Sequence, residues 1–132
     1  MIENKQKSIL IRLGWWQRER FPVANVILVC LLYFSSAFSI RYMFKMERLL
    51  YLSNDLCNLL SCIIFFLLLR ILDEHKDYKS DLIYFPKRVL QRGDISLSHL
   101  KLIGFFALLY LFGHAYLADY PYFSIIILLI YL

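Results

Sequence analysis

The sequence predicts an all-α bundle of membrane-spanning helices, on three observations. Hydrophobic residues make up 61% of the chain's 132 residues, where a soluble domain carries about 45–50%. Mean hydropathy is +0.59, and only 19% of residues are charged. The apolar residues gather into runs of about twenty with the charges between them, the length that crosses a bilayer core. The chain reads as three full spans plus a truncated fourth.

Residues 1–20 form a leader. Its charged start is followed by a full-length span and no small-residue cleavage site, so it is not expected to be a cleaved signal. "SILIRLGWWQRERF" has the make-up of an interfacial helix, with Trp15 and Trp16 expected at headgroup depth. The remainder, residues 21–132, is expected to be one transmembrane domain. Its first span is Phe21 to Ile40, with Pro22 in the first turn, where a missing N–H costs nothing. The second is Ser53 to Leu72, with Ser53 as its N-cap. The third is Leu102 to Ala118, ended by the turn Asp119-Tyr120-Pro121. A fourth begins at Tyr122. Ten residues of helix reach only ~15 Å, about half a bilayer, so the chain is expected to be a fragment.

Charge sets the orientation. Twelve of the 15 Lys and Arg residues lie in the leader or from Arg70, at the end of the second span, onward. By the positive-inside rule both segments are cytoplasmic, which places the protein in a cytoplasmic or inner membrane. A net charge of +5 clustered outside the spans suits anionic headgroups or an anionic substrate, not nucleic acid. Cys30, Cys57 and Cys62 all fall in apolar runs and are odd in number, against a disulfide framework.

The chemistry-bearing stretch is "RILDEHKDYKSDLIYFPKRVLQRGDIS", Arg70 to Ser96, with five acidic and six basic residues. If the second span continues as a helix, Glu74, Asp77 and Asp81 share a face, and Asp73 joins Asp77 and Asp81 at i, i+4 and i+8. Four like charges so placed repel and call for a counter-charge. Arg70, one turn back, can offset Asp73 and Glu74 but not all four. A hard cation such as Mg²⁺ would, since it binds through one or two carboxylates plus substrate phosphates. Lys76, Lys79, Lys87, Arg88 and Arg92 would then face phosphate oxygens. Carboxylates, metal and cations together describe a diphosphate site; the plainer reading is a solvated loop of salt-bridged charges. Asp55, Asn58 and Cys62 lie on the same helical face as Asp73, with Asp55 near the opposite interface. His75 and His114 are expected to be passive, His114 as a hydrogen-bonded bundle residue, and Gly93 to supply a turn.

This segment resembles the first aspartate-rich signature of UbiA-type membrane prenyltransferases, N-D-x-x-D-x-x-x-D closing the second helix. Asp73 takes the Asn place, Glu74 the first Asp place, and Asp77 and Asp81 the other two. Arg88-Val89-Leu90-Gln91-Arg92-Gly93 resembles the family's R-P-L-x-x-G segment, with Val89 in place of proline. The family's second aspartate motif has no counterpart, since no carboxylate follows Asp119. The resemblance implies a helical bundle with a lipid-opening cavity. In it Mg²⁺, on Asp77, Asp81, Glu74 and Asp73, would bridge the protein to a prenyl diphosphate, with Arg70, Lys76, Arg88 and Arg92 as diphosphate contacts. Ionisation of the allylic C–O bond would give a carbocation that attacks an aromatic or other lipophilic acceptor.

Three other readings compete. A CDP-alcohol phosphotransferase would need D-G-x-x-A-R followed by G-x-x-x-D-x-x-x-D, whose Gly-Ala-Arg elements this chain lacks. A non-catalytic membrane scaffold would explain the missing second motif. A transporter or channel should carry its charges at mid-membrane, whereas these lie at the rim.

Overall fold

The computed structural model describes residues 7–47 and 51–118, and within them the architecture is four helices and no strand. They are α1 (Ile9–Arg20), α2 (Val23–Met43), α3 (Leu52–Tyr84) and α4 (Leu97–Leu117). The Asp119-Tyr120-Pro121 turn and the fourth span lie outside the described residues. Three helices, α2, α3 and α4, are long and apolar enough to cross a membrane, so the chain is a membrane protein with a lipid-facing surface. Twenty-one residues of α2 or α4 rise ~32 Å, one hydrocarbon core, whereas the 33 residues of α3 rise ~50 Å. The excess is the charged half of α3, which runs on unbroken from Arg70 to Tyr84.

The helix ends differ in part from the sequence reading. Ser53 is not the cap: α3 starts a residue earlier, at Leu52, after an uncapped Tyr51. Its N-terminal turn is held instead by Asp55, whose carboxylate accepts the Tyr51 N–H at 3.0 Å. Helix α4 starts five residues earlier than the apolar run, because Ser96 and His99 form a reciprocal capping box. That cap carries the helix through polar Ser98, His99 and Lys101. Between α3 and α4, Gly93 takes φ +78°, the left-handed conformation its lack of Cβ permits.

Two apolar clusters hold the fold. One, at the basic end, joins Trp16 of α1, Ile71 of α3, Val89, Leu90 and Ile95 of the connection, and Leu100 of α4. The other, Leu68 with Ala107 and Leu111, pairs α3 with α4 inside the span. Trp16 is 3% exposed, a core residue that seats α1 on the bundle. Leu10 and Ile11 form the outward apolar edge of that helix. Helix α2 buries none of its residues among the other helices. It meets α3 through polar groups, Arg41 and Tyr33 on Asp55. All three cysteines are free thiols.

Candidate functional site

The charged end of α3 sorts its four carboxylates into two pairs. Seven residues make about two turns, so Glu74 and Asp81 point the same way, toward α1 and the connection. Both are buried, with Glu74 at 1% exposure and Asp81 at 7%. Asp73 and Asp77, one turn apart, are exposed. The sequence pattern could not separate these pairs, because all four positions fall within one broad stripe.

Guanidinium groups supply the counter-charge for the buried pair. Arg20, the last residue of α1, donates from Nε to Glu74 Oε1 and from Nη2 to Asp81 Oδ2 at 3.3 Å. Arg88 donates to the same Asp81 oxygen at 2.6 Å and lies over the Phe85 ring at 3.7 Å. Arg70 spreads between Asp73 and Glu74, 3.6 Å from each. Three arginines from three segments thus converge on two buried carboxylates. Arg20 was not legible as a member of this site: 54 residues separate it from Glu74. The one sequence signal was the charge count that put leader and acidic segment on the same side.

The connection after α3 is pinned by two further contacts with α1. The Val89 N–H donates to Glu19 Oε2 at 3.2 Å, and Arg12 donates to the Asp94 carbonyl at 2.7 Å. Arg92 pairs with its near neighbour Asp94, at 3.0 and 2.7 Å, rather than with the carboxylates of α3. Lys76 and Lys79 are exposed. His75 is half-buried, its Nδ1 bonded to the Ile71 carbonyl at 2.8 Å, while His114 stacks on Tyr110. Beside Arg88 opens a cavity of ≈ 380 Å³ lined by Glu19, Tyr84, Phe85, Pro86, Lys87 and Arg88. On α3, Arg70 Nε and His75 Nε2 are buried without a hydrogen-bond partner.

This arrangement bears on a divalent cation in two ways. Among the described residues, no group of three or more His, Cys, Asp or Glu side chains is placed to hold a metal by itself. Glu74 and Asp81 are taken up by arginines, so they do not fit as open ligands in this arrangement. Asp77 and Asp73, the latter shared with Arg70, are exposed, and a Mg²⁺ held jointly with substrate phosphates takes only one or two carboxylates from a protein.

At the far end of the bundle, Asp55 stands in the first turn of α3. It is fully buried, gripped by Arg41 at 2.7 and 2.5 Å, with the Tyr33 hydroxyl at 3.4 Å. The Arg41 guanidinium also covers the Tyr51 ring at 5.2 Å. No family model matches the chain, and neither a curated protein nor a solved structure matches it.

Proposed function

We propose that the chain carries the donor site of an integral-membrane prenyltransferase, which moves an isoprenyl group from an allylic diphosphate to an aromatic or other lipophilic acceptor. The observation that supports this most is the charged end of α3. Exposed Asp73 and Asp77 stand beside an arginine cluster, directly above apolar spans. A prenyl diphosphate has the matching polarity, a compact polyanion on a long hydrocarbon tail. The diphosphate would sit against Arg70, Arg88 and Lys76, with arginine offering paired N–H donors to phosphate oxygens. Arg92, tied to Asp94, contributes charge at longer range. The tail would lie along the lipid-facing surface of the bundle, where water is excluded from the reacting allylic carbon. Asp73 and Asp77 would hold Mg²⁺, which when bound offsets charge on the departing diphosphate.

The test is binding and transfer by the purified chain in lipid nanodiscs, using a labelled allylic diphosphate with and without Mg²⁺. Asp77→Asn should lower Mg²⁺-dependent binding at least about tenfold, a loss of ~1.4 kcal/mol. Parent-like binding by Asp73→Asn and Asp77→Asn together would refute the reading. The filling of Glu74 and Asp81 by arginines favours a second reading, in which the cluster only clasps α1 to α3 in a membrane scaffold. A parent that binds no diphosphate would leave that one standing.

A further inference from the structure

We infer that the outward face of α1 is a docking surface for anionic lipid headgroups, in the leaflet that meets the basic end of the bundle. This face lies on the opposite side of α1 from the Glu74–Asp81 cluster. Its docking stands whether or not a diphosphate binds at that cluster.

Helical spacing gives α1 two sides. Ile9, Leu13, Trp16 and Arg20 recur at helical intervals and share one stripe. That stripe meets the bundle. The first three pack in the cluster around Ile71 and Leu100, and Arg20 reaches Glu74 and Asp81. Ile11, Trp15 and Arg18 fall half a turn away. Lys7, just ahead of the helix, joins them by setting its ammonium 4.9 Å from the centre of the Trp15 ring. Ile11 is 49% exposed, Lys7 and Arg18 are exposed, and Trp15 is half-buried.

The contacts of α1 also fix its depth. Ile71 stands two residues before Asp73, where the apolar part of α3 ends, and Leu100 lies in the first turn of α4. A helix packed on both lies where hydrocarbon gives way to headgroups. There Ile11 and the Trp15 ring suit the acyl boundary, and Lys7 and Arg18 suit the phosphates above it.

Charge selects the lipid. Within residues 7–20 and 70–101, Glu74, Asp81 and Asp94 are buried, each on an arginine. The carboxylates left exposed are Glu19, Asp73 and Asp77, against Lys7, Arg18, Lys76, Lys79, Lys87 and Lys101. Burial thus withdraws negative charge and leaves a cationic surface. Arg12 and Arg20 are bonded to the bundle, whereas Lys7 and Arg18 form no ion pair among the described residues. Two uncommitted cations around an apolar edge fit a leaflet with net negative charge, since a zwitterionic headgroup cancels its own phosphate.

Tryptophan quenching by brominated lipid tests this. The full chain would be placed in nanodiscs of phosphatidylcholine with a minority of phosphatidylglycerol. The bromines would be carried by the glycerol lipid or by an equal amount of the choline lipid. Relative association from the two quenching curves should favour the anionic lipid at least about fivefold, the effect of one cation near such a surface. Lys7→Gln with Arg18→Gln should bring the ratio close to one. Lys79→Gln removes an exposed lysine on the side of α3 away from Glu74 and Asp81, and should leave the ratio parent-like. Trp15→Phe, with Trp16 still in the core, should lose most of the quenching. A face that takes another protein would show no preference between the two lipids in the parent. That result, a preference kept by the double variant, or one lowered as much by Lys79→Gln would overturn the assignment.

Discussion

Asp55 and Arg41 show what a single charge costs inside a membrane bundle. Each would be expensive alone in hydrocarbon. Together they make two hydrogen bonds, and Asp55 takes the Tyr51 N–H as a third partner, so no lone pair of the fully buried carboxylate faces lipid. Breaking such a pair differs from replacing it. Asp55→Asn keeps the shape but removes the buried negative charge that Arg41 and the Tyr51 N–H meet, and should cost about 3 kcal/mol. Replacing both, Arg41→Met with Asp55→Leu, removes both desolvation terms and should recover most of that loss. Unfolding midpoints in a mixed-micelle SDS titration would decide; a single mutant as stable as the parent would show that the pair is wet.

The span contact of α3 and α4 depends on how closely the two helices approach. Gly104 faces α3, and a Cβ built there would lie 3.5 Å from Ile71 Cγ2 and 3.7 Å from Leu68 Cδ1. Those are ordinary contact distances, so the site admits a methyl group. Gly104→Ala should therefore stabilise the protein by about 0.5–1 kcal/mol, through lower chain entropy in a helix interior. Gly104→Leu must push α4 away from Leu68 and Ile71, and should destabilise by about 1–3 kcal/mol. Thermal unfolding of the three proteins in one detergent gives the order Ala, Gly, Leu. A leucine variant as stable as the parent would mean that α3 and α4 separate freely at this level.

At the scale of the molecule, what the sequence made legible was the spans and the meeting of leader and acidic segment at one end of the bundle. Continuous apolar runs of bilayer length need no partner to be recognised, and the acidic spacing marked α3 as a helix beyond Leu72. Partners distant in sequence were out of reach. Nothing in "ERFP" says that Arg20 will meet Glu74, nor in "GWWQ" that Trp16 enters the core, because both depend on how α1 folds back. The charge count bears on that fold-back directly. Arg20 can reach Glu74 only if leader and acidic segment share one side, and eleven of the 15 basic residues lie in those two segments. The turn after α2, with Lys45, should then face the opposite compartment. In a chain with Cys30, Cys57 and Cys62 replaced by serine, Lys45→Cys and Lys79→Cys would each present one exposed thiol. A membrane-impermeant maleimide added to intact cells should label Lys45→Cys alone, and both variants after permeabilisation. Labelling of Lys79→Cys from outside would invert the topology and place the arginine–carboxylate cluster away from any cytoplasmic diphosphate.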